Sequence, residues 1–247
     1  MVDVPMLVGA NAEIAPGVYR MQLYTDGVAL TEELRPGQFV NLKIDGFYLR
    51  RPISICDWSH GVLTLVYKAV GEGTRHLSAM EEGAALRVLL PLGNGYTLLP
   101  DKQPVLVGGG VGIPPLYYLC KELIRAGQKP TAILGFNTAS EVFLQSAFAA
   151  LCDTILTTVD GSAGVKGFVT DALPKLNPDT STVYTCGPEA MLRAVFRSVE
   201  FSSVQFSFEE RMGCGFGACM CCSCKTVTGY KRICKDGPVL RREEILW

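Results

Sequence analysis

The stretch PVLVGGGVGIPPL, residues 104–116, decides how the middle of this 247-residue chain folds. Its apolar first half predicts a buried strand, and the glycines after it predict a tight turn into a helix. The helical spacing continues to Gly127, a typical helix stop. Such a strand–turn–helix unit lets a dinucleotide pyrophosphate approach the backbone. The candidate contacts are Gly108, Gly109, Gly110 and Gly112. Their spacing is not the Rossmann fingerprint, and a plain tight turn is an equal alternative for this loop alone.

The sequence on the C-terminal side continues the same pattern. TAILGF (131–136), TILTTV (154–159) and TVYTCG (182–187) read as strands, and EAMLRAVFRSVE (189–200) reads as a helix. Strands that alternate with helices predict a parallel sheet, so we expect residues 99–206 to form an α/β domain. Cys186, Gly187 and Pro188 follow the last of these strands, at the edge where open α/β sheets bind ligands. A small polarisable side chain suits contact with a nicotinamide ring. The alternative is a buried structural thiol before an ordinary helix entry.

Short β runs separated by turn residues occupy residues 1–98 and predict an antiparallel β-barrel. Arg51 and Lys68 could pair with phosphate oxygens, and the Ser54 hydroxyl could bond a flavin ring nitrogen. Gly73 and Thr74 could offer a backbone N–H and a hydroxyl to a pyrophosphate. Taken singly, each of these residues is more often a surface cation or part of a turn.

Ten cysteines are present, and six of them fall between residues 214 and 234. Cys214, Cys219 and Cys222 form C-x4-C-x2-C, and Cys234 follows after eleven residues, which is the plant-type spacing of a [2Fe–2S] cluster. A zinc ribbon would need a second cysteine knuckle. Cys221 and Cys224 leave the third ligand open, and Cys222 is favoured because it alone completes the spacing. Residues 207–247 are too short to fold on an apolar core alone, so we expect a small C-terminal [2Fe–2S] domain.

Composition excludes several classes of protein. With 23 basic and 24 acidic side chains, the chain lacks the positive field of a general nucleic-acid binder. The N-terminus lacks the pattern of a secretory signal, and the uncharged stretch 103–120 contains too many glycines and prolines for a membrane helix. We therefore expect a cytoplasmic protein without a membrane partner. No Ser–His–Asp or paired-carboxylate signature stands out, so we name no catalytic residue.

Several motifs of the chain occur together, in the same order, in one known family. These are RPIS (51–54), VYK (66–68), GT (73–74), PLGNG (91–95), GGGVGIPPL (108–116), CGPEAM (186–191) and CGFGACMCC (214–222). In this order they resemble the electron-transfer subunits of dihydroorotate dehydrogenase B, within the ferredoxin–NADP reductase superfamily. The resemblance runs from about residue 36 to residue 240, although the gap before Cys234 is shorter than is usual there.

The resemblance implies that the barrel binds FAD, the α/β domain binds NAD and the C-terminal loop binds a [2Fe–2S] cluster. The implied FAD residues are Arg51, Pro52, Ile53, Ser54, Val66, Tyr67, Lys68, Gly73 and Thr74. The implied cluster ligands are Cys214, Cys219, Cys222 and Cys234. The implied partner is a catalytic subunit that holds FMN and oxidises dihydroorotate to orotate in pyrimidine biosynthesis, in a heterotetramer of two subunits of each kind. Similar flavoprotein subunits serve sulfide dehydrogenases and electron-bifurcating transhydrogenases, and a redox sensor built on exposed thiols is the alternative from another class.

We predict a preference for NADH over NADPH, because a 2′-phosphate is usually met by Arg or Lys. The segment after TAILGF carries Glu141 and no cation, and the segment after TILTTV carries Asp160 and no cation before Lys166. We expect kcat/KM for NADH to exceed that for NADPH by on the order of tenfold, or ~1.4 kcal/mol. Dye-reduction kinetics with both nucleotides measure this ratio, and a higher value with NADPH would contradict the prediction.

Overall fold

The N-terminal part of the chain forms a closed antiparallel barrel, as the sequence predicts. The computed structural model describes residues 1–25, 33–174, 176–177, 179–200 and 203–247. The barrel contains β1 (Val2–Ala15), β2 (Val18–Thr25), β3 (Phe39–Lys43), β4 (Arg51–Ser59), β5 (Val62–Lys68) and β6 (Ala85–Leu92), with α1 (Glu72–Ser78) before β6. The strands follow the order β1-β2-β5-β4-β3-β6 around the barrel. Side chains along β6 alternate between exposed and more deeply buried positions, because one face of the strand lines the barrel core.

A seven-stranded sheet with helices follows the barrel. Its elements are β7 (Gln103–Gly109), α2 (Ile113–Arg125), β8 (Thr131–Phe136), α3 (Gln145–Ala149), β9 (Asp153–Thr158), β10 (Val165–Lys166), β11 (Ser181–Cys186), α4 (Glu189–Ser198) and β12 (Val204–Ser207). These six strands are parallel in the order β10-β9-β8-β7-β11-β12. Gly127 has a φ of +81°, and α2 ends just before it, as predicted. Among the described residues, no helix combines the length and apolarity that a membrane crossing requires.

The cysteine-rich segment packs against both the barrel and the sheet. It contains the hairpin of β13 (Ser223–Thr226) and β14 (Gly229–Arg232), then β15 (Val239–Arg241), which pairs antiparallel with β12 and adds the seventh strand to the sheet. Cys222, Ile233 and Cys234 share an apolar cluster with Phe39 of the barrel and Leu240 of β15. The domain boundaries predicted at 98/99 and 206/207 stay a prediction. Because β15 completes the sheet, the segment after 207 shares that sheet with the residues before it.

The barrel and the sheet meet along α2. The Lys121 ammonium lies 2.6 Å from both carboxylate oxygens of Asp57 on β4, and both side chains are mostly buried. The Tyr118 hydroxyl donates to the Leu34 carbonyl at 2.8 Å. α2 begins at the glycine loop, and β4 begins at Arg51. These contacts therefore fix the predicted nucleotide site relative to the predicted flavin site.

We predict that the Asp57–Lys121 pair couples the two units energetically. Asp57→Asn or Lys121→Met alone leaves a partly buried group without its partner, so each should lower the free energy of unfolding by about 1–3 kcal/mol. In a double-mutant cycle measured by denaturant unfolding, the coupling energy should be about 0.5–3 kcal/mol. The exposed Glu189–Arg193 pair on α4 is the matched control, with a coupling of at most about 0.5 kcal/mol. Equal coupling energies for the two pairs would contradict the prediction.

Candidate cofactor sites

The glycine loop and the Cys186–Pro188 segment lie against each other at the C-terminal edge of the sheet. β7 and β11 are parallel neighbours, and Gly108 is paired with Cys186. A Cβ on Gly112 would lie 2.4 Å from the Cys186 carbonyl oxygen and 2.5 Å from the Gly187 Cα, so only glycine allows this approach. A Cβ on Gly109 would lie 2.6 Å from the Met191 Sδ atom, next to Pro188. Gly110 has a φ of +51° and open space around its Cα. The structure thus brings together every residue that the sequence assigned to the nucleotide.

Cys186 lines this edge of the sheet with an uncharged thiol. Burial raises the pKa of its thiol to about 12, so the group stays protonated at neutral pH. The preceding backbone is fixed, because the Tyr96 hydroxyl donates to the Thr185 carbonyl at 3.1 Å. Cys186 is therefore suited to packing against a ring and not to nucleophilic chemistry.

The turns after β8 and β9 lie next to each other at the same edge. The Glu141 carboxylate accepts hydrogen bonds from the backbone N–H and the side-chain amide of Asn137, at 3.1 and 3.0 Å. Asp160 accepts from the Ser162 backbone N–H and hydroxyl, and these bonds lower the pKa of Asp160. The aliphatic stem of Lys166 lies against Gly161, closer to this turn than its sequence position suggests. The nucleotide preference stays a prediction.

In the barrel, Arg51 and Gly73 form one contact. The Arg51 guanidinium occupies the space beside the Gly73 Cα, where a Cβ would lie 2.4 Å from Nε. The same guanidinium lies 5.1 Å above the Phe47 ring. The Thr74 hydroxyl accepts from the backbone N–H groups of Val70 and Gly71 and donates to the Gly71 carbonyl, so it closes the first turn of α1. A cation beside this turn is suited to a pyrophosphate.

The remaining flavin candidates face different surroundings. Val66 lies in the apolar cluster between the barrel and the sheet, and Lys68 is exposed at the end of β5. Tyr67 points into the barrel core, where burial raises its pKa and its hydroxyl donates to Asn11 Oδ1 at 3.1 Å. Asn11 in turn donates to the Leu77 carbonyl at 2.8 Å, so Tyr67 supports the C-terminal end of α1. The last three flavin candidates lie at the start of β4 and are partly buried: Pro52, Ile53 and Ser54.

The four predicted cluster ligands lie in two pairs, Cys214 with Cys219 and Cys222 with Cys234. In the first pair, the Cys214 sulfur accepts from the backbone N–H groups of Ala218 and Cys219, at 3.2 and 3.4 Å, and the Cys214 N–H donates to the Cys219 sulfur at 3.4 Å. Partial burial opposes ionisation, but the backbone N–H donors lower the pKa of Cys214 to about 6.

The second pair is buried between the barrel and the sheet. The Cys234 N–H donates to the Cys222 sulfur at 3.3 Å. Burial, and then the neighbouring Cys222, raise the pKa of Cys234 to about 12, so a metal has to displace its proton. No three Cys, His, Asp or Glu side chains within the described ranges converge on one point as a mononuclear metal site would require. A [2Fe–2S] cluster spreads four thiolates over two irons, and two separate pairs fit that requirement.

The other two cysteines of the segment lie outside these pairs. Cys221 is exposed, and Cys224 lies on β13 opposite Lys231. The Cys234 N–H contacts the Cys222 sulfur, and the choice of Cys222 over Cys221 and Cys224 as a cluster ligand stays a prediction. None of the sequence motifs includes Asn41, which contacts the cysteine loop from β3. A single polar residue within the apolar run FVNLK, residues 39–43, was a signal for it.

We predict that Gly112→Ala disrupts the nucleotide edge because its Cβ collides with backbone atoms of Cys186 and Gly187. NADH-dependent flavin reduction should fall on the order of tenfold, with FAD content retained. Gly109→Ala is the matched control, because its Cβ meets chiefly the flexible end of Met191, which can move. Stopped-flow flavin reduction against NADH concentration measures the effect. Equal losses in both variants would contradict it.

Comparisons with known proteins agree with this arrangement. The family model for the iron–sulfur cluster binding domain of dihydroorotate dehydrogenase B matches residues 209–246, and the model for the oxidoreductase NAD-binding domain matches residues 106–197. The first match covers both thiol pairs, and the second covers the glycine loop and Cys186.

Relatives and a solved structure match nearly the whole chain. The "dihydroorotate dehydrogenase B (NAD(+)), electron transfer subunit" of Bacillus velezensis is 42% identical over 97% of this chain and 97% of its own length. The subunit of the same name from a Geobacillus species is 41% identical over 98% and 97%. The structure of an NADH-dependent reduced ferredoxin–NADP oxidoreductase, described in terms of flavin-based electron bifurcation, covers 98% of this chain and 90% of its own at 32% identity, with a TM-score of 0.88. The resemblance and fold class inferred from the motifs are confirmed: the chain belongs to the family of dihydroorotate dehydrogenase B electron-transfer subunits.

Proposed function

We propose that this chain is the electron-transfer subunit of an NAD-dependent dihydroorotate dehydrogenase. Electrons from a partner subunit pass through a [2Fe–2S] cluster and FAD to NAD+ during oxidation of dihydroorotate to orotate. Family membership, the cluster-domain match and the NAD-binding match support this function. A cytoplasmic location is part of the proposal, because clustered free thiols suit a reducing compartment.

The position of β4 in the barrel carries the proposal. β4 begins with Arg51–Ser54 and lies between β5 and β3. On the β5 side, Val66 belongs to the apolar cluster that also contacts Cys186 at the nucleotide edge. On the β3 side, Asn41 contacts the Cys214 carbonyl. The strand proposed to hold the flavin therefore lies between the proposed nucleotide site and the proposed cluster site.

The spatial order of the three proposed sites, with the flavin between the nucleotide and the cluster, suits conversion between two-electron and one-electron chemistry. Nicotinamide exchanges hydride, an iron–sulfur cluster exchanges single electrons, and a flavin does both. The chain's own residues bind and orient. Arg51 would pair with the phosphate charge of a bound flavin nucleotide. The close approach of Gly112 forms the edge beside Cys186, and the Asp57–Lys121 pair holds the barrel against the sheet. No side chain has to move a proton in the hydride step, and Cys186 stays a neutral thiol.

The proposed partner is the FMN-bearing dehydrogenase subunit, in a heterotetramer of two subunits of each kind. We infer docking on the side of the cysteine loop, where Phe216 and Met220 flank Cys219 and all three are exposed. In residues 230–242, after the cysteine loop, three of the cationic side chains already have partners within the chain. Lys231 pairs with Glu244, Arg232 pairs with Asp236, and Arg242 lies over Phe196. Tyr230 is 70% exposed and remains available for contact.

A second candidate is the flavoprotein subunit of a different NAD(P)H-linked reductase. The 32% identity and the TM-score of 0.88 to the bifurcating oxidoreductase favour it. Sulfide dehydrogenase subunits belong to the same alternative. These functions keep the three proposed cofactor sites and differ in the partner, so the partner decides between them.

We predict that Cys219→Ser removes the cluster while most of the FAD remains, because the thiol pairs lie outside the barrel strands β4 and β5. Iron and flavin content of anaerobically purified protein measures this. Cys221→Ser and Cys224→Ser are the matched controls and should keep their iron. Full iron content in Cys219→Ser would reject the ligand set.

We predict that this chain and an FMN-bearing dihydroorotate dehydrogenase subunit from the same organism form one complex when they are co-expressed. Size-exclusion chromatography should show co-elution, and the complex should reduce NAD+ with dihydroorotate much faster than the dehydrogenase alone. Separate elution without enhanced NAD+ reduction would reject the pyrimidine-pathway assignment. NADH–dye reductase activity that persists in the isolated chain would then support the second candidate.

A further inference from the structure

Asn41 is a buried polar residue on β3 that none of the sequence motifs includes. It is 1% exposed, and its neighbours Val40 and Leu42 lie in the barrel core. Because side chains alternate along a strand, Asn41 faces outward with Phe39, toward the cysteine-rich segment. A buried amide is costly unless it forms hydrogen bonds, so its position needs a physical reason.

The Asn41 amide contacts the loop of the first thiol pair. Its Nδ2 atom donates to the Cys214 carbonyl at 3.3 Å. A Cβ on Gly215 would lie 2.4 Å from the same nitrogen, so the loop packs directly on Asn41. Its Oδ1 atom is buried without a hydrogen-bond partner in the described part of the chain. Asn41 is also paired with Pro52 of β4, within the proposed flavin motif.

This contact fixes the orientation of one peptide group. A trans peptide directs its C=O and N–H to opposite sides. By holding the Cys214 carbonyl toward the barrel, Asn41 directs the Gly215 N–H away from it. Backbone N–H groups of this loop already donate to the Cys214 sulfur, and such dipoles stabilise added negative charge.

We propose that Asn41 is a positioning residue for electron transfer between flavin and cluster, and this rests on the function proposed above. It attaches the Cys214–Gly215 peptide to the strand beside the flavin motif. The contact holds the first thiol pair at a fixed place and sets the field of the loop dipoles at the cluster. Loss of the amide donor should therefore lower the midpoint potential of the cluster and slow its reduction by the flavin.

Asn94 provides a matched control. Its amide also attaches the barrel side to the C-terminal segment, with Nδ2 donating to the Val239 carbonyl at 2.7 Å and Oδ1 accepting from the Val239 N–H at 3.1 Å. It contacts residues 236–239 and not the cysteine loop. Both residues therefore help to hold the C-terminal segment, but only Asn41 is expected to affect the cluster.

The experiment compares wild type, Asn41→Leu, Asn41→Asp and Asn94→Leu as full chains with FAD and cluster, purified anaerobically. EPR-monitored redox titration gives the midpoint potential of the cluster, and stopped-flow with NADH gives the rate of flavin-to-cluster transfer. Both Asn41 variants should have lower potentials than wild type. Transfer should slow, and iron release to a chelator should accelerate, each on the order of tenfold. Asn94→Leu should match wild type in all three measurements.

Each outcome decides the proposal. Loss of iron in both Asn41 variants, with FAD retained and with iron retained in Asn94→Leu, also supports it. Wild-type potentials and rates in the Asn41 variants would overturn it, as would the same shifts in Asn94→Leu or joint loss of iron and FAD. Wild-type protein without a cluster would reject the proposed function itself, so the two failures are distinguishable.

Discussion

Burial of β3 on both faces is the constraint on which the arrangement of sites depends. One face, with Val40 and Leu42, packs in the barrel core, and the other, with Phe39 and Asn41, is covered by the cysteine-rich segment. A barrel strand normally leaves its outer face to solvent or to a neighbouring domain. Here the outer face receives the segment that is too small to fold on its own core. The thiol pairs therefore lie beside the strand proposed to hold the flavin, and the contact that packs the segment is also the one proposed to serve electron transfer.

A second constraint acts at the edge of the sheet, where two loops must approach more closely than side chains allow. Gly112 lies against the backbone of Cys186 and Gly187, and Gly109 lies against Met191. Because β7 and β11 are adjacent and parallel, their C-terminal ends meet at one place without further support. The interface between barrel and sheet then fixes this edge relative to β4, through α2 and the Asp57–Lys121 pair. The orientation of the barrel relative to the sheet therefore depends on α2, the helix that begins at the glycine loop.

Local patterns in the sequence predicted most of the fold, because period, glycine position and turn chemistry are local properties. The stop of α2 at Gly127, the antiparallel barrel and the parallel sheet followed from such patterns. The pairing of β15 with β12 did not, since VLR is a short run whose partner lies more than thirty residues earlier. The Asp57–Lys121 pair was missed for the same reason. Asn41 stands out locally as a polar residue in an apolar strand, but its contact with the cysteine loop depends on a residue distant in sequence. The cysteine spacing was the exception, because cluster geometry ties ligand spacing directly to chemistry.

The two thiol pairs differ in their exposure and in their surroundings. Cys219 of the first pair is exposed beside Phe216 and Met220, whereas Cys222 and Cys234 are buried in the cluster shared with the barrel and the sheet. Backbone donors lower the pKa of Cys214, and burial raises that of Cys234, so the surroundings favour negative charge at the first pair. The first pair is also the one that Asn41 of β3 contacts, next to the strand proposed to hold the flavin. The exposed side chains proposed to meet a partner and the peptide that Asn41 contacts therefore lie on the same short loop, residues 214–220. A disturbance of this loop should therefore affect both proposed transfers, the one to the partner and the one to the flavin.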